Sequence, residues 1–232
     1  AAHPERIQSL SPAQNQAKQQ IETEWQSKQV VLLHGVTSSG KTEVYIHLIQ
    51  QAIDRGEQVL YLLPEIALTV QMTQRLQRVF GGRLGIYHSK YSDNERVEIW
   101  RKQLSSTPYD IILGARSAVF VPFQRLGLVI IDEEHETSFK QQDPAPRYHA
   151  RSAAIVLASY YGAKTLLGTA TPSMESYYNA HSGKYGLVTL SHRFKDVALP
   201  DIEVVDIKDL RRRKMMNGPF SPRLMAAMRE SL

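Results

Sequence analysis

The sequence predicts an α/β fold with a mainly parallel sheet and helices on both of its faces. Three observations predict it. Short apolar stretches typical of buried strands alternate along the chain with segments of helical periodicity. The segment Gly35–Thr42 fits G-x-x-x-x-G-K-[ST] and lies between such a stretch and a helical segment. The stretch Leu128–Asp132 is apolar until its last residue, which is typical of a strand buried on both faces.

In the first half of the chain, the elements follow from apolar periodicity and from the residues that interrupt it. Ser11-Pro12 combines a cap residue with a proline at the first helical position, which indicates the start of a helix. Val30–Leu33 is apolar and partly β-branched, as in a buried strand, and the helical pattern after the loop ends at Gly56. The elements expected next are a strand over 58–63, a helix over 69–80, a strand over 84–87, a helix opened by the capping box Ser92–Glu95, and a strand over 110–113.

In the second half, strands and helices continue to alternate. Leu128–Asp132 is the clearest strand, and residues 137–149 are polar with two prolines, which indicates a long loop. The elements expected after it are a helix over 153–161, a strand over 165–167, a helix capped by Thr171-Pro172 and running to about His181, strands over 187–190 and 202–206, and a helix from Ser221-Pro222.

Composition narrows the class of protein. With 232 residues, 42% of them hydrophobic, the chain is long enough to bury a sizeable core. It contains no cysteine, which excludes disulfides and thiol chemistry. No apolar run has the length of a membrane span, and the polar start lacks a signal-peptide core, so we expect a soluble intracellular protein. Most of the net charge of +5 lies around Arg211–Lys214, so the charge alone does not indicate a nucleic-acid partner.

The glycine-bearing segment carries the residue types that bind nucleotide phosphates. Its glycines allow backbone N–H groups to face inward, and the following helix adds its positive N-terminal end. Lys41 is expected to reach the β- and γ-phosphates, and the Thr42 hydroxyl is expected to ligate Mg²⁺. The candidate nucleotide-binding residues are Gly35, Val36, Thr37, Ser38, Ser39, Gly40, Lys41 and Thr42.

A second half of the same site is expected at the end of Leu128–Asp132. Asp132 is the expected outer partner for Mg²⁺, and Glu133 is expected to orient and deprotonate an attacking water. Ligands of parallel sheets bind beyond the carboxyl ends of the strands. The phosphate loop, Arg116, Asp132 and Thr169–Ser173 all fall at such ends, so we expect them on one edge of the sheet.

Together these motifs resemble those of the superfamily 2 helicases. Gly35–Thr42 resembles motif I, Asp132–His135 resembles a DEAH-type motif II, and Gly168–Ser173 resembles motif III. Narrower resemblances are to the PriA family of replication-restart helicases (primosomal protein N′). They comprise Pro64–Thr69 and Gly114–Ala118, similar to motifs Ia and Ib, and Ser138–Gln142 with Arg147–Arg151, similar to the aromatic-rich loop.

The resemblance covers about residues 10–232 and implies the first, RecA-like P-loop NTPase lobe of a motor. It implies an ATP- and Mg²⁺-dependent 3′-to-5′ DNA helicase that recognises abandoned replication forks and acts in the bacterial cytoplasm at the nucleoid. Single-stranded and forked DNA, primosome proteins and single-strand-binding proteins are the implied partners, and no membrane is implied. Residues 1–206 are expected to form the ATP-binding lobe. Residues 207–232 are expected to lead into a zinc region and a second lobe that this chain lacks, so zinc is expected in the full-length family protein but not here.

The resemblance also implies roles for individual residues. Gln14 would be the adenine-contacting glutamine of a Q motif, and His135 would couple the ATP site to motif III through Thr169 or Thr171. The implied catalytic set is Lys41, Asp132, Glu133 and His135. The residues implied to contact DNA or to relay its presence are Arg116, Phe139, Lys140, Arg147, Tyr148, Arg151, Thr169 and Thr171.

Two other functions stay open from the residues. Motifs I to III also permit another superfamily 2 motor, such as an RNA helicase or a translocase on duplex nucleic acid. The third possibility is a module that holds nucleotide without hydrolysing it and serves as a scaffold. All motor interpretations require Lys41 and Asp132 to lie in one pocket.

Overall fold

The computed structural model of the chain describes residues 5–36, 39–88, 92–190 and 202–230. The chain divides into two units, Ala1–Asp196 and Val197–Leu232. In the first unit the described strands form one seven-stranded sheet in which every pairing is parallel. The α/β fold predicted from the sequence is confirmed. The predicted division of the chain after residue 206 stays a prediction about domain boundaries.

The strands form where the sequence has short, mainly apolar runs that are partly β-branched. Their bounds are β1 Val30–Gly35, β2 Gln58–Leu62, β3 Leu84–Tyr87, β4 Ile111–Gly114, β5 Leu126–Asp132, β6 Lys164–Thr169 and β7 Gly186–Leu190. The spatial order is β3-β4-β2-β5-β6-β1-β7. The phosphate-loop strand β1 and the acid-bearing strand β5 are therefore not neighbours, because β6 lies between them.

Two of the helices begin at the capping boxes present in the sequence. Ser11 and Gln14 form a capping box at the first helix, and Ser92 and Glu95 form another at the fourth. The helices of the first unit are α1 Pro12–Glu24, α2 Lys41–Asp54, α3 Val70–Phe80, α4 Asp93–Gln103, α5 Ala150–Tyr161 and α6 Met174–His181. Single 3₁₀ turns cover Gly81–Arg83, Arg116–Phe120 and Thr137–Phe139.

Two apolar cores, one on each face of the sheet, fix the helices in place. Alternate β1 residues divide between them: Val31 and Leu33 face one core, and Val30 and Leu32 face the other. Helices α1, α2 and α3 bury their apolar sides in the first core, and α4, α5 and α6 bury theirs in the second. Helices on both faces are thus confirmed.

Two sequence predictions about local structure are wrong. Helix α6 is capped by Ser173, whose hydroxyl accepts a hydrogen bond from the Ser176 N–H, and not by Thr171-Pro172. Residues 202–206 form no strand. Their β-branched residues Ile202 and Val204 are exposed, and a strand requires a ladder partner as well as a local preference.

The second unit contains two short helices among its described residues, α7 Ile207–Arg212 and α8 Pro222–Glu230. Asp206 caps α7 by accepting hydrogen bonds from the N–H groups of Lys208 and Asp209. None of the helices in the described ranges is long and apolar enough to cross a lipid bilayer.

Candidate nucleotide site and aromatic-rich loop

The candidate site lies along the carboxyl edge of the sheet. Because every ladder is parallel, β1, β4, β5 and β6 all end at this edge. The segments that the sequence singled out follow directly from those ends: the phosphate loop from β1, Arg116 from β4, Asp132–His135 from β5, and Thr169–Ser173 from β6. The register pairs Asp132 with Gly168 and His34 with Thr169, so motif III stands between the other two motifs.

The phosphate loop turns sharply between β1 and α2. The Ser39 N–H donates to the Val36 carbonyl at 3.0 Å, and Gly40 has a φ of +81° at the helix start. That left-handed conformation favours glycine. Lys41, the first residue of α2, is buried, and its Nζ donates to the Gly35 carbonyl at 2.9 Å. Thr42 follows in the first turn. The candidates Thr37 and Ser38 lie outside the described residues.

The shape of this loop fits a phosphate group. A Cβ built on Gly35 would lie 2.9 Å from Ser39 Oγ and 3.0 Å from the Lys41 side chain, so a larger residue would force both side chains to shift. Ser39 Oγ is buried without a hydrogen-bond partner among the described atoms. A buried polar atom in that position needs a partner, and a phosphate oxygen would supply one. The described part of the loop thus combines a left-handed glycine with a buried hydroxyl that has no partner among the described atoms, as phosphate-binding nests do.

Gln14 holds the base of the phosphate loop. It is buried, and its Nε2 donates to the Gly40 carbonyl at 3.2 Å. Its Oε1 accepts from the Ser11 N–H at 2.8 Å, so both ends of the amide are engaged. Helix α1 is thereby tied to the loop that begins α2.

Asp132 is joined to the phosphate-loop helix by a tyrosine that the sequence reasoning missed. Tyr45, one turn after Lys41, is fully buried, and its hydroxyl donates to Asp132 Oδ1 at 2.9 Å. The pKa of Asp132 is raised to about 6. Burial is the largest cause and the nearby Glu133 adds to it, whereas the Tyr45 hydrogen bond and Lys41 act in the opposite direction. Burial and Asp132 in turn raise the pKa of Tyr45 well above its usual value.

The Tyr45 hydroxyl fits only because its neighbour on β6 is glycine. A Cβ built on Gly168 would lie 1.7 Å from that hydroxyl oxygen and 3.1 Å from Asp132 Oδ1. The half-site on α2 and the half-site on β5 therefore meet across Gly168. The spacing of four residues from Lys41 indicates that Tyr45 lies on the same side of the helix as Lys41, but it does not indicate which strand the tyrosine meets.

The residues after Asp132 turn toward motif III. Glu133 has a φ of +48°, a left-handed backbone that is uncommon for a residue with a side chain. His135 Nδ1 lies 2.7 Å from Thr169 Oγ1 and 3.6 Å from Glu133 Oε2, and its Nε2 lies 3.4 Å from Thr171 Oγ1. The structure thus brings His135 to both threonines that the resemblance named.

Glu134 is a second residue that the sequence reasoning missed. Its side chain is fully buried and accepts hydrogen bonds from Arg151 Nη1 at 2.6 Å, the Ser173 N–H at 2.8 Å, Ser173 Oγ at 2.9 Å and Ser176 Oγ at 2.8 Å. Arg151 lies in the first turn of α5, where the helix dipole disfavours a cation. That mismatch is the signal that would have indicated an acidic partner.

The predicted long loop over residues 137–149, which holds most of the two segments similar to the aromatic-rich loop and takes that name below, is folded back on itself. Lys140 and His149 form an antiparallel bridge, and the Gln141 N–H donates to the Tyr148 carbonyl at 2.9 Å. Lys140 Nζ contacts the Arg147 carbonyl, and Arg147 is exposed. The sequence prediction of a long loop therefore misses its internal pairing.

Two aromatic residues fasten the loop to the lobe. Phe139 is fully buried in the core beneath it, so its ring anchors the loop and does not face solvent. The half-buried Tyr148 ring stacks edge-to-face on Phe120 at 4.8 Å. Arg116 Nη1 donates to the Ser138 and Lys140 carbonyls, both at 3.2 Å.

A cavity of about 290 Å³ opens where the loop meets the end of β2. It is lined by Pro64 and Glu65 from the segment after β2, by Arg116, and by the first half of the loop, including Lys140. The segments resembling motifs Ia and Ib and the aromatic-rich loop thus share one concave surface.

The chain matches known helicases in sequence over most of its length. Residues 11–180 match the model of the DEAD/DEAH box helicase family. The chain is 42% identical over 206 residues to the replication restart protein PriA of Bacillus subtilis, covering 88% of this chain and 25% of that protein. It is 41% identical over 223 residues to PriA of Rickettsia felis, covering 96% of this chain and 34% of that protein. The resemblance to the PriA family is confirmed, and the chain spans about a quarter to a third of the length of these relatives.

Solved structures support the fold. A structure of RecG bound to a three-way DNA junction aligns with a TM-score of 0.57 at 23% identity, covering 81% of this chain and 26% of that one. The helicase MrfA bound to DNA aligns with a TM-score of 0.55 at 17% identity, covering 79% and 27%. The fold is that of a RecA-like helicase lobe. With its family model matched across the whole site described above, the chain belongs to the DEAD/DEAH box helicase family.

Proposed function

We propose that this chain is the ATP-binding motor lobe of a 3′-to-5′ DNA helicase that acts in replication restart and couples ATP hydrolysis to unwinding. The observation that carries the proposal is the hydrogen bond of 2.9 Å between Tyr45 and Asp132, which joins the phosphate-loop helix to the acidic end of β5. A pocket with the phosphate loop on one side and an acid pair on the other is what phosphoryl transfer requires. The similarity to PriA supports the biological setting.

In the proposed site, each residue binds the nucleotide or Mg²⁺, or orients the attacking water. Lys41 would exchange the Gly35 carbonyl for phosphate oxygens, and Gln14 would exchange one of its amide hydrogen bonds, to Ser11 or Gly40, for a contact with the adenine. Thr42 and Asp132 would hold Mg²⁺, whose chemistry is to neutralise charge that develops on the phosphates. The residues proposed to hold the nucleotide are Gln14, Gly35, Val36, Thr37, Ser38, Ser39, Gly40, Lys41 and Thr42.

Hydrolysis would depend on position and electrostatics, since the protein forms no covalent bond to phosphate. Glu133 would orient the attacking water and accept its proton. His135, within 2.7 Å of Thr169, would report the state of the site to motif III. The lobe alone should turn over slowly, because the arginine finger expected from a second lobe is worth about 10³–10⁵ in rate.

The DNA-contacting surface would be the cavity between the segment after β2 and the aromatic-rich loop. Arg116 and Lys140 line the cavity and would supply cations for phosphates. Arg147 and Tyr148 lie farther along the same loop, where they would add a cation and an aromatic ring. Single-stranded and forked DNA are the proposed substrates. Primosome and single-strand-binding proteins in the bacterial cytoplasm, at the nucleoid, are the proposed partners.

The test is DNA-stimulated ATP hydrolysis by the complete protein that contains this chain. Lys41→Ala should abolish hydrolysis, and an unchanged rate would reject the motor assignment. Glu133→Gln should retain nucleotide binding and lose turnover, which would exclude a scaffold that only holds nucleotide. Comparing fork DNA, duplex DNA and RNA as stimulants distinguishes a restart helicase from another superfamily 2 motor. Unwinding of substrates with only a 3′ or only a 5′ tail tests the direction.

A further inference from the structure

Glu134 is fully buried at the junction of three segments of the first unit. It lies on the turn after β5, and its carboxylate contacts Arg151 on α5 and both Ser173 and Ser176 at the start of α6. Its N–H donates to the Gly168 carbonyl on β6 at 3.1 Å. One side chain thus fixes the acidic turn relative to two helices.

The geometry of the pair is that of a strong interaction. Arg151 Nη1 lies 2.6 Å from Glu134 Oε2, and the arginine side chain is only 11% exposed. The same Nη1 lies 2.6 Å from Ser173 Oγ. A buried charge-assisted network of this kind has few alternative arrangements, so displacement of one member displaces the others.

Glu134 and Arg151 are each close in sequence to one of the two functional regions, the acidic end of β5 and the aromatic-rich loop. Glu134 directly follows Glu133, the proposed water-orienting acid, and is two residues from Asp132. Arg151 is two residues from His149, whose backbone pairs with Lys140 in the aromatic-rich loop. If DNA binding moves the part of the loop that leads into α5, the Arg151 side chain would therefore move with it. Arg151 holds Glu134, so the turn after β5 that carries Glu133 would move as well.

We propose that Glu134 is a positioning residue which, through Arg151, transmits the position of the aromatic-rich loop to the acidic end of β5. This inference rests on the proposed function, because it presumes that DNA stimulates hydrolysis. Glu134 is fully buried, so in this proposal it acts through Arg151 and not by contact with nucleotide or DNA. Its part is to make the placement of Glu133 depend on where the loop lies.

A network that only holds the fold together would predict a different result from one that couples two sites. Loss of stability alone lowers hydrolysis with and without DNA by the same factor. Loss of coupling lowers the ratio of the DNA-stimulated rate to the basal rate. That ratio, measured at saturating ATP, is therefore the readout.

The experiment compares two charge-neutralising variants on the same arginine in the complete protein. Glu134→Gln neutralises the buried partner at 2.6 Å, and the control Glu175→Gln neutralises an exposed partner at 3.8 Å. Glu134→Gln should lower the stimulated-to-basal ratio by about 2- to 30-fold, the usual range for variants that modulate coupling. Glu175→Gln should leave the ratio at the parent value. A parent-like ratio in Glu134→Gln overturns the proposal, even if both rates fall.

Removal of one member of a buried ion pair leaves an uncompensated charge and can prevent folding. If circular dichroism shows Glu134→Gln unfolded, the double variant Glu134→Gln/Arg151→Gln removes both charges and takes its place. We expect the double variant also to have a lower ratio of stimulated to basal rate than the parent. A parent-like ratio in the double variant would reject the proposal. If the parent itself shows no stimulation by any DNA, the proposed function fails first. If the parent is stimulated and the variants are too, only the coupling inference fails.

Discussion

Replacing Gly168 by alanine should disrupt the site at the contact that joins its two halves. The added Cβ would lie 1.7 Å from the Tyr45 hydroxyl oxygen and 2.9 Å from Cζ of the same ring. Tyr45 is fully buried, so its ring has no open space to move into without displacing other core side chains. The hydrogen bond of 2.9 Å to Asp132 would be lost with that movement.

The expected loss of stability combines two effects. Overpacking of a well-filled core costs about 1–3 kcal/mol. Loss of a hydrogen bond to a charged group adds about 1.5–3 kcal/mol. Together these lower the free energy of unfolding by about 2.5–6 kcal/mol, or the melting temperature by roughly 5–24 °C for a domain of this size.

The assay is chemical and thermal unfolding of the chain, with two further variants. Gly82→Ala is the matched control, since a Cβ built there meets nothing within 4 Å, and it should change stability by less than about 0.5 kcal/mol. Tyr45→Phe removes the hydroxyl oxygen that would lie 1.7 Å from the added Cβ. Gly168→Ala should therefore lower the free energy of unfolding much less in the Tyr45→Phe protein than in the parent, with a coupling energy between the two changes of about 1–3 kcal/mol. If Gly168→Ala is no more destabilising than Gly82→Ala, or if its cost is the same in both backgrounds, the contact described here is wrong.

Three further predictions test other parts of the lobe. Gln14→Ala removes the hydrogen bond to the Gly40 carbonyl that holds the phosphate loop. The KM for ATP should therefore rise about 2- to 12-fold, which corresponds to the free energy of one net hydrogen bond. A nucleotide titration of the complete protein measures it, and an unchanged KM would contradict the prediction. Phe139→Ala empties a buried site under the aromatic-rich loop and should lower the free energy of unfolding by about 3–5 kcal/mol in denaturant titration. Burial raises the pKa of Asp132 from 3.8 to about 6, so the folded chain binds more protons than the unfolded chain between those values, and its stability should fall as pH rises through that window. The free energy of unfolding should fall by at most about 3 kcal/mol across this window in the parent, and Asp132→Asn should remove that fall when both are measured in chelator. A pH profile that is the same in the parent and in Asp132→Asn would refute the assignment.

The parts of the lobe that sequence alone could predict are those set by local chemistry. The apolar run Leu128–Asp132 indicates a strand because burial on both faces demands it, and the glycines around Lys41 indicate a phosphate loop because few backbones turn so tightly. The same local logic failed at Ile202 and Val204. Their β-branched side chains favour an extended backbone, but a strand also needs a neighbour to pair with.

The parts that sequence could not predict depend on the order of strands in space. Nothing in the chain announces that β6 lies between β1 and β5, so the contacts of Gly168 with Tyr45 could not be read from spacing. The buried partners of Glu134 were hidden for the same reason, since Arg151 and Ser173 reach it only through tertiary packing. Adjacent acids at a strand end gave no reason to treat Glu134 differently from its neighbours.

The central place of β6 limits how this protein can vary. Toward β5, the end of β6 has room at Gly168 only for the Tyr45 hydroxyl. Toward β1, the Ala170 carbonyl just after β6 lies 3.1 Å from Nε2 of His34, which is close to the start of the phosphate loop. A substitution tolerated by one flank must also suit the other, so single changes here are expected to fail where paired changes survive. Engineering of this lobe would therefore proceed by compensated exchanges across the strand, and not by one position at a time.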